Sequence, residues 1–457
     1  MSMGAILGLI ALNVWFGLVG VAVIFGLRGW TTWLELGRLL GVAYMAGVAA
    51  MGVAMTWQLT VGIDLSVASI LGLGALLIAV AVVSGFLLGH RLPPAPTHFR
   101  ISGSGSIAAG FFAALTVVYL EAQFRAGRLA GLYEFDAWSF WVPKAKAIYF
   151  FGGLDRQLFH DLPGPSYPPL VPALQAAGFH FMGRPDEVTL HLQFAFLLFG
   201  FVAALTGLVG GRAPPLLFWP PVLLVLVAPQ VVDHALQPEG DFLLDELFAL
   251  AAVALALWLL DREPFFLRLT ALFLGAAVLT KREGVALAAC VLIAMLVATL
   301  REARFAWPRL ASVGLVTVAA LVPWRVFLFV RDLPGGGPEA GGLGLFSNLD
   351  RAWPSFRLAL STLFDFHIWL IVIPLLVLAI VAAAAVGPRQ LVTYASALSV
   401  LSVAAFTWST WAFPSLPITR ASALNPIDRF SGALVLAAAG LIPLLLARAQ
   451  ESTWQRG

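Results

Sequence analysis

The stretch YEFDAWSFWVPKAKAIYFFGGL, Tyr133 to Leu154, gathers two carboxylates, two lysines and two tryptophans in a chain that otherwise avoids charge. Glu134 and Asp136 form an E-x-D pair. Such a pair has three chemical uses. One carboxylate can take a proton from an attacking hydroxyl. The two can bind a divalent cation such as Mg or Mn. Either can instead cap the next helix, by accepting from its free backbone N–H groups. From Trp138 to Phe151 the spacing is helical: Trp138, Trp141, Ala145 and Ile148 or Tyr149 make one apolar stripe. Lys144 and Lys146 are expected on the polar side. There they either hold an anionic substrate or snorkel to lipid phosphates. The segment reads as an amphipathic helix in the membrane interface, with its tryptophans at headgroup depth.

Three more polar stretches carry candidate chemistry. In PGPSYPPLVPALQAAGFHFMG, Tyr167 precedes two prolines that force an extended turn, and Leu170 to Met182 is expected to be a second interfacial helix. In QPEGDFLLDELF, Glu239 and Asp241 stand at a helix start, where the helix dipole favours carboxylates. Asp245 lies one turn further along the same face, beside Glu246. Ionisable groups so deep in apolar sequence are costly and usually face a cavity. Asp233 and His234 add to this acidic mouth. In TKREG, Lys281 and Arg282 are donors suited to phosphate, or else the charged tip of a hairpin with Glu283 offsetting one cation. Arg325 and Arg429 supply cations from two further helices, although Asp428 beside Arg429 can simply be a cap. Cations converging from three helices point to an anionic ligand.

These residues need scaffolding, and composition says what kind. The 457 residues are 60% hydrophobic and only 11% charged, whereas soluble domains carry about 25% charged residues. The expected fold is an all-α polytopic membrane protein. Apolar runs near the ~20 residues a bilayer requires fall at 4–27, 38–62, 66–89, 104–122, 189–211, 214–231, 242–260, 264–280, 285–300, 308–331, 364–387, 390–409 and 430–447, about thirteen spans. The N-terminal run lacks the basic start and small-residue cleavage site of a secretory signal. Cys290 is the lone cysteine, which excludes disulfides and cysteine-metal clusters. A net charge of +3 and the lack of a basic arm give no footing for nucleic acid.

Arginines set the orientation. With the N-terminus outside, every inner loop holds at least one, including Arg28 and Arg38, Arg212, and the group Arg301, Arg304 and Arg309. The outer loops then include 123–188, with two interfacial helices, and all four polar stretches reach the outer side. The chain has 27 basic residues but only three lysines, Lys144, Lys146 and Lys281, and all three lie on that side.

In order and sidedness these motifs resemble the GT-C superfamily of integral-membrane glycosyltransferases. The resemblance is to the branch of protein O-mannosyltransferases, the lipid A aminoarabinose transferase and Rgt-type lipopolysaccharide sugar transferases. YEFDAWSFWVPKAKAIYFFGGL with SYPPLVPAL matches the acidic outer loop and the helices after it. EGDFLLDEL resembles the second acidic patch, LTKREG the lysine-glycine turn and DRF the late arginine. The likeness covers roughly 104–447. It implies a catalytic transmembrane module at 104–457, with residues 1–103 as three added helices, since the family's acidic loop usually comes after the first span and here comes after the fourth. Many relatives also carry an outer C-terminal domain, whereas this chain ends soon after its last apolar run.

The resemblance further implies transfer of a sugar from a polyprenyl-phosphate donor, with inversion, to a glycan, lipid or protein of the cell envelope at the outer face of the plasma membrane. Asp136 becomes the base with Glu134 assisting. Lys281, Arg282, Arg429 and Arg325 become candidates for the donor phosphate. Lys144, Lys146, Trp138, Trp141, Tyr167, Glu239, Asp241 and Asp245 become candidates for substrate contact. A divalent cation on Glu134 and Asp136 is compatible with the family but not required. The rival reading is a flippase or transporter for polyprenyl-linked lipids, in which such charges would sit near the midplane. An O-antigen ligase or polymerase would favour arginine-rich outer loops, and a non-catalytic scaffold has no use for so many buried charges.

Overall fold

The computed structural model describes residues 2–93, 107–155, 157, 161–333, 348–412 and 427–454. Among them there are helices and turns but no strand. The first four helices are α1 (Met3–Leu27), α2 (Trp33–Thr60), α3 (Val67–Leu87) and α4 (Ile107–Gly127). Then come α5 (Val142–Phe151), α6 (Leu170–Met182), α7 (Glu187–Val209), α8 (Pro215–Leu226) and α9 (Pro229–His234). Next are α10 (Gly240–Asp261), α11 (Pro264–Thr280), α12 (Glu283–Ala298) and α13 (Ala303–Val330). The last are α14 (Ala352–Leu363), α15 (Phe366–Trp369), α16 (Val372–Val386), α17 (Arg389–Ala412) and α18 (Ile427–Trp454).

Side-chain caps start several of these helices. Thr32 accepts from Glu35 N at 3.1 Å before α2, and Asp186 accepts from Thr189 N at 2.9 Å before α7. Ser66 and Ser69 form a reciprocal capping box at α3. Each cap satisfies donors that the helix itself cannot.

Nine helices among the described residues are long and apolar enough to cross a bilayer: α1, α2, α3, α4, α7, α10, α13, α17 and α18. The other four expected spans are shorter. Helix α8 has 12 residues, α11 has 17, α12 has 16 and α16 has 15. Even 17 residues reach only about 26 Å, against a hydrocarbon core of about 30 Å. The run at 214–231 is split where the helix breaks at Val227 and Ala228, between α8 and α9, and α8 holds Pro220 and Pro221 internally.

Helix α10 is the centre of the bundle: 94% of its most apolar window is buried, against 17% for α3 and for α4. Helix α18 packs on α10, while α3 and α4 present most of their surface outward. Helices α1 and α2 contribute to the same continuous core as α10 and α18. They cross at glycines. A Cβ on Gly20 would lie 1.6 Å from the Ala43 carbonyl oxygen, so only glycine lets the two backbones approach.

Two expectations for the loop after α4 do not hold. Helix α6 is not half-embedded at a surface; every residue from Leu170 to Phe179 is buried against protein. Trp138 and Trp141 do not share a face. Residues Ala137–Trp141 form a π-helical turn, whose extra residue per turn rotates the side chains after it. Trp138 is half exposed, and Trp141 is fully buried.

Candidate active site

The loop after α4 and the start of α10 meet at one end of the bundle. Carboxylate oxygens of Asp136, Glu239 and Asp241 lie within 4.8 Å of one another. Asp136 opens the π-turn, and Glu239 and Asp241 straddle the start of α10. Neither Asp136 nor Glu239 makes a side-chain cap hydrogen bond, so capping does not account for either. Glu239 and Asp241 are buried and Asp136 stands at the rim, half-buried. Glu134, close to Asp136 in sequence, is not one of this group.

Lys281 reaches the acids from another helix. Its Nζ donates to Asp241 Oδ1 at 2.6 Å, with both side chains buried. TKREG is therefore no exposed hairpin tip. Helix α11 stops at Thr280, and Lys281 is extended, which turns its side chain inward. Gly284 makes the turn tight: a Cβ there would lie 2.2 Å from the Ala277 carbonyl oxygen. On the other flank, His234 Nδ1 is 3.3 Å from Glu239 Oε1, and Gln230 Nε2 is 2.6 Å from His234 Nε2. With Nε2 accepting from Gln230, a neutral ring carries its proton on Nδ1.

An aromatic wall continues from this cluster. Tyr167 stacks on Trp141 at 5.6 Å and 6° and touches Phe140 at 5.7 Å. Its ring is also approached by cations: Arg282 Cζ at 4.8 Å and Lys281 Nζ at 5.7 Å from the centroid. Such placements are attractive because the ring face is electron-rich. Trp141 in turn sits over Gly240, where a Cβ would lie 2.9 Å from Cζ2. Gln175 of α6 fixes the approach to α10 by donating to Pro238 O at 2.7 Å.

Lys144 is buried as well, which overturns its expected place on a polar, lipid-facing side. The π-turn has rotated it inward, where Nζ donates to Gly164 O at 2.6 Å and lies 5.2 Å from the Phe140 ring centroid. Burial, with Arg282 nearby, lowers its pKa to about 7. Burial raises that of Tyr167, with Glu283 adding to the effect. Lys146 pairs with Glu187 at the start of α7.

The remaining candidates are scattered. Asp245 lies against α18, where a Cβ on Gly432 would be 2.2 Å from its Oδ2. Arg325 is exposed on α13, next to Trp324, whose indole donates to Ser166 O at 3.3 Å. Trp138 packs edge-on to Phe135, away from the wall. Arg429 lies in the first turn of α18, with its side chain outside the described residues, as is that of Asp428. Sequence reasoning missed Phe140, Gln175 and Gly240. Gln175 carried a signal, as a lone amide in the apolar run LVPALQAAGF.

The donor set suits a hard divalent cation. Three carboxylates converge, outnumbering the one ammonium among them, and carboxylate oxygen is the ligand type such ions take. Asp136, Glu239 and Asp241 would hold it, and not the pair Glu134 and Asp136. In chemical terms the arrangement offers a rim carboxylate that can accept a proton, beside a walled cation group that can take an anion. Compared with known proteins, the chain matches no family model, no curated protein and no solved structure.

Proposed function

We propose that this protein is a membrane glycosyltransferase of GT-C type, moving a sugar from a polyprenyl-phosphate donor to an envelope acceptor. The observation that supports this reading best is the junction of two unlike sites through one residue. Lys281 is bonded to the acid cluster through Asp241 and faces the Tyr167 ring that Arg282 also covers. A transfer from a phosphate leaving group needs a base on one side and cations on the other.

The proposed step is a single displacement with inversion. An acceptor hydroxyl attacks the anomeric carbon as Asp136 takes its proton. Asp136 is the least buried of the three acids, so it can meet an incoming acceptor. The anomeric carbon–oxygen bond breaks, and the electron pair leaves with the polyprenyl phosphate. Lys281 and Arg282 stabilise that charge, and Lys144 supports them at the same aromatic wall. Asp136, Glu239 and Asp241 would hold a divalent cation, which when bound would supply further positive charge to the site. Arg429 and Arg325 stay as candidate contacts for the rest of the donor. In this reading the chain has thirteen membrane passes, with the four short helices completing the bundle, and residues 1–103 precede the catalytic module. The acid cluster faces outward from the plasma membrane.

The test is transfer in proteoliposomes, with radiolabelled polyprenyl-phosphate sugars and total envelope lipid as acceptor, comparing wild type with Asp136→Asn. Label reaching acceptor only with wild type is the expected result. Equal transfer by both proteins would remove Asp136 from the mechanism. Label crossing the bilayer without transfer, equally in both, would replace the enzyme with a flippase.

A further inference from the structure

A cavity opens at the end of the bundle away from the acid cluster. Helix α10 runs from the acid cluster at Asp241 to Asp261, about 33 Å for its 22 residues. Beyond Asp261 lies a cleft of about 700 Å3, between the α1–α2 turn, the end of α7, α8 and the start of α11. Phe218, Trp219 and Phe265 line one part of it, and Arg28, Arg38 and Arg212 another.

Two of these arginines are held in place. Arg28 Nη1 donates to Glu35 Oε1 at 2.6 Å, its Nε is 3.3 Å from Glu263, and its guanidinium lies 5.5 Å from the Phe265 ring centroid. Arg212 Nη2 donates to Asp261 at 2.7 Å, Nη1 to Leu208 O at 2.8 Å, and the group lies 5.3 Å from the Phe266 ring centroid. Glu35 is itself fixed by the Thr31 N–H and hydroxyl, each at 2.8 Å. Arg38 differs. It is exposed on the first turns of α2 and forms no ion pair among the described residues.

The cleft is lined by three guanidiniums, Arg28, Arg38 and Arg212, against one carboxylate, Glu35; Glu263 and Asp261, which pair with Arg28 and Arg212, lie outside its lining. The exposed Arg38 guanidinium, in no ion pair among the described residues, stands beside two pre-oriented ones and suits a singly charged phosphodiester that can take bidentate donors. The surroundings say what kind of molecule carries it. Leu40 and Leu216, flanking the cleft residues Leu39 and Pro215, are 52% and 48% exposed, so the cleft opens beside an apolar outer surface. A soluble anion has no use for that surface, whereas acyl chains do. Basic pockets between helix ends at a membrane face are where anionic headgroups dock.

We propose that this cleft seats the headgroup of an anionic membrane phospholipid, its phosphodiester on Arg38 beside Arg28, with acyl chains along Leu40 and Leu216. Phosphatidylglycerol is the simplest such lipid. The site is separate from the acid cluster and needs no sugar transfer.

The experiment uses the full chain in detergent, with Arg38→Gln and, as a control, Arg304→Gln, an exposed arginine outside the cleft. Melting temperature is read with added phosphatidylglycerol, phosphatidylcholine or inorganic phosphate, and co-purifying lipid is read by native mass spectrometry. Phosphatidylglycerol should raise the melting temperature of wild type and of Arg304→Gln by several degrees, with phosphatidylcholine inert. Arg38→Gln should lose most of that shift and retain several-fold less phosphatidylglycerol. An equal shift with phosphatidylcholine, or an unchanged shift in Arg38→Gln, would overturn the site. A shift reproduced by inorganic phosphate alone would make it a soluble-anion site and overturn the lipid. The three additives on wild type decide this even if a variant folds poorly.

Discussion

Lys281 Nζ and Asp241 Oδ1 are joined at 2.6 Å with both side chains almost wholly out of solvent, one at the end of α11 and the other in the first turn of α10. A pair so buried is held by mutual attraction against the cost of desolvation. Removing one partner leaves the other charge stranded. Lys281→Met should cost about 3–5 kcal/mol and also abolish transfer. Lys281→Met with Asp241→Leu should recover much of the stability but none of the activity. Thermal unfolding of the two variants separates the outcomes; equal destabilisation would mean the pair is not the relevant contact.

Tyr167 tests the aromatic wall. Tyr167→Phe keeps the ring that Trp141, Lys281 and Arg282 face, and loses the hydroxyl with its long contact to Glu283 at 3.5 Å and its hydrogen bond with Arg282. Its donor KM should stay within about twofold. Tyr167→Leu removes the ring face, a loss of about 1–2 kcal/mol for desolvated cation–ring contacts. That corresponds to a roughly 5- to 30-fold weaker donor interaction. Steady-state kinetics on both variants checks it, and similar values for Phe and Leu would contradict the cation–ring role.

Lys144 brings a pH dependence. Its pKa is lowered to about 7, below the 10.5 ordinary for lysine, because the ammonium is buried beside Arg282. Between those values the unfolded chain holds a proton that the folded chain has released. Stability contributed here therefore rises with pH from about 7 to 10.5 and is flat below 7. The ammonium's hold on an anion has the opposite sense and fades as pH rises through about 7. Donor KM should rise on the alkaline side, and Lys144→Met should flatten both profiles. A KM profile unchanged in Lys144→Met would place this lysine outside the phosphate site.

Gly240 carries the seat of Trp141. A methyl group there meets the indole at 2.9 Å, and the rigid ring must move. Gly240→Ala should cost about 1–3 kcal/mol, as overpacking does. It should also lower transfer more than it lowers folded protein, because Trp141 positions Tyr167. Unaltered kinetics at a reduced melting temperature would confine Gly240 to packing.

Asn13 tests whether α1 is integral to the bundle. Its Oδ1 accepts from Tyr44 OH at 2.6 Å, and its Nδ2 donates to Gln193 Oε1 at 2.8 Å, linking α1, α2 and α7. Asn13→Leu orphans both partners and should cost about 1–3 kcal/mol per stranded group. Calorimetry of the purified protein is the check, and a neutral substitution would show water replacing the amide.

By itself the sequence determined that this is an all-helical membrane chain, because runs of apolar residues near bilayer length have no other stable use. It also singled out Asp136, Asp241 and Lys281, since charge is so scarce here that each deep ionisable group stands out. Tertiary structure decided the rest. Asp136 meets Glu239 and Asp241 only because the loop after α4 folds across the start of α10, a contact that local periodicity does not encode. Lys144 turned inward because a π-turn broke the helical spacing on which its outward placement rested. Two apolar runs, 214–231 and 364–387, are each divided between two helices, for hydropathy measures an apolar stretch and is blind to where its backbone breaks. Spacing along a chain predicts a face only while one helix continues; past a break, packing alone sets direction.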